Sequence, residues 1–295
     1  MKLITWNTQW CCGLDGRVNL KRIVNEARSM GDFDVLCLQE IACGFVDLAG
    51  HPGDQPAQLQ ALLPGYAVFF GAAVDEWNVL GKRQRFGNLI ATRLPLASVQ
   101  HHPLPWPADA GVRSMPRMCT EVTVTDPGLG AVRIMTTHLE FYSARQRMAQ
   151  AQALRALHMQ ACEQAAAQPL ADDSDSPFQS KTHTRHAILC GDFNFEPGAP
   201  EYAAIQQPFR PLELMDNAQE AINIESEHLQ DAWPLMLGQT PHAPTFRLFD
   251  RTYGPEPITC DYVFVSQSLV PRLKSLSVNL NSRASDHQPL WMELA

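Results

Sequence analysis

Near its end the chain contains the stretch Ser285-Asp286-His287-Gln288-Pro289-Leu290-Trp291-Met292. The stretch places a carboxylate and an imidazole directly before a short apolar run, which is typical of a buried strand. A charged Asp and a titratable His at the end of a buried strand cost free energy unless other polar groups pair with them. We therefore expect polar side chains from elsewhere in the chain to converge on this strand end.

Other apolar runs carry polar residues of a complementary type at one end. Four runs end in such residues: Thr5-Trp6-Asn7, Leu38-Gln39-Glu40, Thr137-His138-Leu139 and Gly191-Asp192-Phe193-Asn194. A fifth run begins with one, in Asp261-Tyr262-Val263-Phe264-Val265. Asp192 and Asn194 are two residues apart, so in extended backbone their side chains project to the same face.

The order of strand and helix patterns indicates an α/β protein. Residues 35–39 form a short apolar run that ends at Glu40, whereas residues 18–30 and 143–168 have helical spacing or composition. Strands and helices mix without the regular alternation of βαβ units, which favours two packed sheets with helices outside over a doubly wound parallel sheet. No break in composition divides the chain, so we predict a single domain over residues 1–295.

The charge balance limits the classes of binding partner. The chain has 23 Lys and Arg against 31 Asp and Glu, a net charge of -8 at pH 7. This balance argues against non-specific binding of nucleic acid, which needs a basic surface. It does not exclude an enzyme that acts on nucleic acid, because divalent cations can neutralise a local acidic site. The sequence identifies no protein partner.

The sequence also bears on the compartment. No apolar run approaches the roughly 18 to 20 residues that cross a bilayer, and the first residues do not have the pattern of a signal peptide. The eight cysteines lack C-x-x-C spacing of the metal-binding type, and Cys37, Cys190 and Cys260 lie in or beside apolar runs. Free, buried thiols in a reducing compartment are the better interpretation. We expect a cytoplasmic protein without a membrane span.

Taken singly, the polar strand ends have ordinary explanations. A lone Glu40 is usually a solvated residue at a strand end, and Gly-Asp-x-Asn is favourable turn chemistry. The joint set indicates a metal site, because its members offer hard oxygen ligands, which suit Mg²⁺ or Mn²⁺ rather than Zn²⁺. This set comprises Asn7, Glu40, Asp192, Asn194, Asp261 and Asp286. His138 and His287 then remain for proton transfer or phosphate contact, which points to a phosphate ester as substrate.

The same series of motifs, in this order, resembles the endonuclease/exonuclease/phosphatase superfamily, whose members have the deoxyribonuclease I-like fold. The motifs extend from residue 3 to residue 293, so the resemblance covers essentially the whole chain. It implies a four-layer α/β sandwich, in which two packed mixed β-sheets are flanked by helices and a metal binds at one end of the strands.

The resemblance also implies a role for each matching residue around the metal. Glu40 would be the principal metal ligand, with Asn7 as its neighbour and Asp286 close to the metal. Asp192 would position or deprotonate the attacking water, and Asn194 would hold water or a phosphate oxygen.

The two histidines receive roles from the same resemblance. His287 would act as general base or as phosphate contact, with Asp261 orienting its ring, and His138 would bind the scissile phosphate. The choice of base between Asp192 and His287 stays open. Tyr142 falls where some abasic-site nucleases place a tyrosine near the phosphate, although packing at the start of a helix is an equal alternative.

Two arginines are further candidates for substrate binding. Arg113 and Arg117 flank Met115-Pro116 in a loop-like segment, where guanidinium groups are able to contact phosphates. A solvated loop is the alternative explanation.

The expected activity is that of a phosphoric ester hydrolase that depends on Mg²⁺ or Mn²⁺. It would cleave a phosphodiester or phosphomonoester, in a small molecule or a nucleic acid, by metal- and His-assisted attack of water on phosphorus. One alternative is a DNA endonuclease or exonuclease of the abasic-site or deoxyribonuclease type. The other is a non-catalytic binding protein that retains the fold, and the complete residue set speaks against it.

Overall fold

Strands and helices alternate irregularly along residues 1–209 and 227–295, the part of the chain that the computed structural model describes. In chain order the strands are β1 (Lys2–Asn7), β2 (Val35–Cys43), β3 (Ala67–Trp77), β4 (Arg83–Thr92), β5 (Leu96–Pro103), β6 (Met118–Asp126), β7 (Gly130–His138), β8 (Ala187–Asp192), β9 (Leu229–Asp231), β10 (Asp261–Ser266), β11 (Leu273–Val278) and β12 (Leu290–Leu294). The α-helices are α1 (Leu20–Met30), α2 (Gln55–Leu62), α3 (Ala144–Ala166), α4 (Pro200–Gln206) and α5 (Ala232–Leu237), and a 3-10 helix spans Gln267–Arg272.

The strands form two six-stranded mixed sheets with matching architecture. The first sheet has the order β11-β12-β1-β2-β4-β3, and the second has the order β5-β6-β7-β8-β10-β9. Each sheet has one parallel pair at its centre, β1 with β2 and β7 with β8, and its other pairs are antiparallel. The parallel pairs bring the carboxyl ends of four central strands to one edge of the molecule.

Alternation along the central strands creates three apolar layers. Leu3 and Cys37 of the first sheet lie with Ile188 of the second sheet in the core between the sheets. Their neighbours point the other way, so that Ile4 packs with α1 and α2, and Leu189 packs with α3 and α4. The layers therefore run helix, sheet, sheet, helix, and the expected four-layer α/β sandwich is confirmed.

Strand β2 is longer than its apolar pattern predicts. The sequence indicates an end at Glu40, but the strand continues to Cys43. Its pairing with β4 shifts register between Leu38 and Ile41, and Glu40 has a positive φ of 61°. A β-bulge therefore interrupts the strand without ending it, and re-aims the Glu40 side chain.

The helices give no sign of a bilayer span. None of those in residues 1–209 and 227–295 is both long enough and apolar enough to cross a membrane.

A buried ion pair joins β6 and β7 on the face that α3 covers. Arg133 donates from Nε to Glu121 Oε1 at 2.8 Å and from Nη2 to Glu121 Oε2 at 2.9 Å. His102 Nε2 lies 3.3 Å from the same carboxylate. Burial opposes ionisation of Glu121, but the hydrogen bonds from His102 and Arg133 and the charge of Arg133 outweigh it and lower the pKa to about 2.

We expect Glu121→Gln to destabilise the protein at pH 7, by about 3 kcal/mol, because it leaves the buried Arg133 without a counter-charge. The folded-state pKa of Glu121 lies below its ordinary value of 4.5. Its contribution is therefore complete above about pH 4.5 and is lost as the pH falls towards 2. Urea unfolding measured at several pH values should show that the difference in the free energy of unfolding between variant and wild type shrinks as the pH falls through this range.

The exposed pair Arg83–Asp75 provides a control for this measurement. Asp75→Asn should change the free energy of unfolding much less at every pH, since solvent screens exposed pairs. A Glu121→Gln difference that did not depend on pH would contradict the assignment.

Candidate active site

The polar strand ends meet at one edge of the sandwich. Strand β1 ends at Asn7, β7 ends at His138, β8 ends at Asp192 and β10 begins with Asp261. In the second sheet, Asp192 lies opposite His138 on one side and opposite Asp261 on the other. The first sheet contributes Asn7 to the same edge.

A cavity of about 220 Å³ opens at this edge. Eight of the residues selected from the sequence line it: Glu40, Arg117, His138, Tyr142, Asp192, Asn194, Asp286 and His287. Asn7 and Asp261 lie behind the lining and hydrogen-bond to members of it. Arg113 does not line the cavity but donates a hydrogen bond to the hydroxyl of Tyr142.

The ring of His287 is held on several sides. Its Nδ1 lies 2.8 Å from Asp261 Oδ2, and its Nε2 lies 3.7 Å from Asp192 Oδ2. The ring of Phe246 stacks on it with centroids 4.3 Å apart and planes 19° apart. Burial alone would lower the pKa of His287, but the charges of Asp261 and Asp192 and the hydrogen bond to Asp261 raise it to about 10. The imidazole is therefore charged at neutral pH in this arrangement.

Asp261 is itself positioned by a short segment from outside the strands. Thr245 Oγ1 accepts hydrogen bonds from the backbone N–H groups of Cys260 and Asp261, both at 3.2 Å. The carbonyl of Thr245 accepts from the N–H of Gln288 at 2.7 Å. One residue thus ties the start of β10 to the turn that carries His287.

Asn7 bridges two carboxylates. Its Nδ2 donates to Glu40 Oε1 at 3.2 Å and to Asp192 Oδ2 at 2.8 Å, while its Oδ1 accepts from the N–H of Gln9. Asn7 in this orientation directs its amide nitrogen, not its oxygen, towards the acidic groups. It holds Glu40 and Asp192 at a fixed separation.

Four of the lining residues have left-handed backbone conformations, Gln9 and Trp10 in the loop after β1 and two of the predicted site residues. Glu40 has a φ of 61° and Asn194 a φ of 52°. For a residue with a Cβ this region costs about 1–2 kcal/mol, although Asn tolerates it better than most. Such strain persists only where the surroundings impose it, and it is enriched at functional sites. For Asn194 the surroundings are hydrogen bonds from its N–H to Asp192 Oδ1 and from its Nδ2 to the carbonyl of Leu139.

His138 and Arg117 form a second polar group in the lining. His138 Nε2 lies 3.4 Å from Asp192 Oδ2, and burial together with the charge of Arg117 lowers the pKa of His138 to about 3. Arg117 donates from Nε to Glu140 Oε2 at 3.3 Å. Its buried Nη1 has no hydrogen-bond partner among the described residues. His138 is therefore neutral, and Arg117 keeps one donor for a ligand.

The acidic lining fits a hard divalent cation. Burial and the charge of Asp286 raise the pKa of the Glu40 carboxyl to about 7, against the opposing effects of His287 and Asn7. Burial likewise raises the pKa of Asp286. Two crowded carboxylates of this kind lose their mutual repulsion when a cation binds, and Mg²⁺ commonly uses one or two carboxylates. The donor set around Glu40 and Asp286 therefore suits Mg²⁺ or Mn²⁺.

A second cluster of potential ligands lies deeper. Single ligand atoms of Asp192, Cys260 and His287 lie within 4.8 Å of one another. Burial raises the pKa of the Cys260 thiol well above its ordinary value, so the thiol stays protonated. His287 Nδ1 is also already engaged by Asp261. This cluster therefore fits a metal less well than the carboxylates do.

Several lining residues were not selected from the sequence. They are mainly aromatic: Trp10, Phe86, Phe141, Phe246 and Tyr253. Phe246 and Tyr253 lie in a Pro-rich region, residues 196–259, where periodicity assigns no element. Glu140 accepts a hydrogen bond from Arg117. It directly follows Thr137-His138-Leu139, and this position beside a motif is the one sequence feature that could have identified it.

Comparison with known proteins places this geometry in context. Residues 4–287 match the Endonuclease/Exonuclease/phosphatase family. No curated protein matches the chain. Among solved structures, the chain is similar to an endonuclease/exonuclease/phosphatase from Beutenbergia cavernae, with 26% identity and a TM-score of 0.62, covering 100% of this chain and 72% of that one.

Two more distant structures share the fold. A mannosyl-6-phosphatase from Bacteroides thetaiotaomicron has 18% identity and a TM-score of 0.64, over 100% of this chain and 99% of that chain. A 3′ phosphatase from Neisseria, bound to a product DNA hairpin, has 19% identity and a TM-score of 0.57, with the same coverage. Both of these neighbours are phosphate ester hydrolases.

Proposed function

Because the chain belongs to the endonuclease/exonuclease/phosphatase family, we propose that it is a phosphoesterase that depends on Mg²⁺ or Mn²⁺. It hydrolyses a phosphodiester or phosphomonoester by attack of water on phosphorus. The observation that carries this proposal is the arrangement Asp261–His287–Asp192, in which His287 and Asp192 line the same cavity as the carboxylates of Glu40 and Asp286.

Glu40 and Asp286 would hold the cation, and Asn7 would keep Glu40 and Asp192 apart as two separate carboxylates. When bound, the cation supplies positive charge that stabilises the phosphoryl group as negative charge grows on its oxygens.

His287 and Asp192 divide the work of proton handling. The Nδ1–H of His287 donates a hydrogen bond to Asp261. This bond fixes the ring, so that Nε2 points towards the cavity. With two carboxylates beside it, the ring carries a proton on both nitrogens, so Nε2 donates to a phosphoryl oxygen. Asp192 Oδ2, which lies 3.7 Å from that nitrogen, accepts the proton of the attacking water as the water oxygen bonds to phosphorus. The P–O bond of the ester breaks in the same displacement, and the departing oxygen takes a proton from solvent.

The remaining lining residues hold the substrate. Neutral His138 and the free Nη1 of Arg117 contact phosphoryl oxygens. Asn194 accepts from water through its amide oxygen, or donates the second hydrogen of Nδ2 to a phosphate oxygen. Tyr142 contacts the group beyond the phosphate. Arg113 acts through Tyr142, because it lies outside the cavity lining.

The same proposal covers domain organisation and compartment. Residues 1–295 form one catalytic domain, which is supported by the pairing of β1 with β12 across the length of the chain. The protein acts in the cytoplasm, which is supported by eight cysteines that are all buried and unpaired.

A phosphoester panel tests the proposal. Purified protein, stripped of metal with EDTA, should release p-nitrophenol from bis(p-nitrophenyl) phosphate or p-nitrophenyl phosphate, or nick plasmid DNA, when Mg²⁺ or Mn²⁺ is restored. Nicking would identify the DNA endonuclease alternative. Asp192→Asn, purified in parallel, should be inactive, which excludes a contaminating hydrolase.

If neither metal supports hydrolysis of any of these substrates, the enzyme proposal fails. A non-catalytic binding protein with the same fold then becomes the better interpretation.

A further inference from the structure

Aromatic rings form one continuous wall of the active-site cavity. The wall starts at His287, on which Phe246 stacks at 4.3 Å. Tyr253 follows with its centroid 6.1 Å from that of Phe246, and Phe141 lies 6.0 Å from Tyr253. Tyr142 completes the series, 4.8 Å from Phe141 and nearly perpendicular to it. The wall therefore leads from the imidazole to the rim without a break.

The outer rings of this wall are open to solvent. Phe246 is only 5% exposed, but Phe141, Tyr142 and Tyr253 are 36%, 46% and 51% exposed. Single exposed aromatic residues are ordinary, whereas contiguous ones that line a cavity indicate a binding surface. Arg113 lies 4.6 Å from the centre of the Tyr142 ring and donates to its hydroxyl, so this ring is already fixed. Tyr253 and Phe141 remain available for a ligand.

The polar groups of the cavity lie at one end of the aromatic wall, beside His287. Glu40 and Asp286 line the cavity together with His287, and this polar part takes the phosphoryl group in the proposed function. A group attached to the phosphoryl group therefore extends from His287 along Tyr253 and Phe141. The rings of Tyr253 and Phe141 provide apolar contact along this path, and Tyr142, whose hydroxyl accepts a hydrogen bond from Arg113, lies at its end.

Resting on the proposed function, we propose that this site selects phosphoesters that carry a planar aromatic or heteroaromatic ring close to phosphorus. Stacked or edge-to-face contact with Tyr253 and Phe141 supplies the selectivity over saturated groups. The cavity of about 220 Å³ is smaller than most sites for small molecules, which suits a phosphoryl group with one such ring.

Two phosphonates test the proposal by binding alone. Benzylphosphonate and cyclohexylmethylphosphonate have the same charge and nearly the same size, and neither can be hydrolysed at its P–C bond. Calorimetry in the presence of Mg²⁺ should give a dissociation constant for the benzyl compound that is roughly 2–12-fold lower, the range for one aromatic pair. If burial of apolar surface alone determined affinity, cyclohexylmethylphosphonate would bind more tightly, or the two compounds would bind equally.

Two variants test whether the ring of Tyr253 provides the preference for the benzyl compound. Tyr253→Leu keeps an apolar side chain but removes the ring, and should bring the two dissociation constants together. The matched control is Phe249→Leu, because Phe249 is also an exposed aromatic residue but packs against Arg283 outside the cavity lining. The Phe249→Leu variant should still bind benzylphosphonate more tightly than cyclohexylmethylphosphonate.

The outcomes separate this inference from the proposed function. Equal affinities in the wild type, or a preference that survives Tyr253→Leu, overturn the inference even if p-nitrophenyl esters are hydrolysed. A preference for the benzyl compound that depends on Tyr253, in a protein that hydrolyses no ester, supports the inference and overturns the proposed function.

Discussion

A Glu40→Gln variant is expected to lose metal-dependent hydrolysis, with a fall in kcat/KM of roughly 10³-fold or more. The reason is that several kcal/mol of charge stabilisation depends on a cation that this carboxylate would hold. Glutamine keeps the size of the side chain and can still accept the hydrogen bond from Asn7. The change therefore removes the charge and leaves the packing. Initial rates over a range of Mg²⁺ and Mn²⁺ concentrations provide the measurement.

In EDTA, Glu40→Gln is expected to be more stable than the wild type, although it loses activity. The folded-state pKa of Glu40 is raised to about 7, so the ionised carboxylate destabilises the metal-free protein above that pH. At pH 8, Glu40→Gln should therefore unfold at a higher temperature than the wild type, and the gain should fade as the pH drops from about 7 towards 4.5. Mg²⁺ should stabilise only the wild type.

Exposed Glu76 on β3 offers a control, and Glu76→Gln should change neither activity nor the response to metal. Full activity of Glu40→Gln at saturating metal would show that Glu40 is not the principal ligand.

His287→Ala is expected to lower kcat by roughly 10²–10⁴-fold, the range for loss of a positioned proton donor or acceptor. KM should change much less, because in the proposed function Arg117 and His138 would still contact the phosphate. Steady-state kinetics on an activated ester, such as bis(p-nitrophenyl) phosphate, separate the two parameters. A rise in KM with unchanged kcat would make His287 a binding residue instead.

The chain contains a matched control for this variant. His242 Nε2 lies 2.6 Å from Asp231 Oδ2, so it forms a similar histidine–carboxylate pair, but it does not line the cavity. His242→Ala should lower stability and leave kcat close to the wild-type value.

The polar ends of the strands could be identified from sequence because a charge beside an apolar run needs a partner. Asn7, His138, Asp192 and Asp261 each belong to such a run, and the structure brings all four to one edge. Helix α3 could be predicted for a similar local reason, since residues 143–168 have helical composition and the helix spans Ala144–Ala166.

Other features depend on partners that sequence does not pair. The bulge at Glu40 exists because β2 and β4 change register there, which a single strand pattern cannot reveal. The orientation of the Asn7 amide depends on two carboxylates from distant segments. The aromatic wall comes from segments without periodicity, so Phe246 and Tyr253 had no pattern that tied them to His287.

The bond between His287 and Asp261 also has a mechanical meaning. His287 precedes β12 of the first sheet, whereas Asp261 begins β10 of the second, and the bond from Asn7 to Asp192 spans the sheets in the same way. The spacing of the reactive groups is therefore set by the thickness of the apolar layer between the sheets. A change in the volume of that layer should therefore alter the distance between these groups, although the side chains of the layer lie outside the cavity lining.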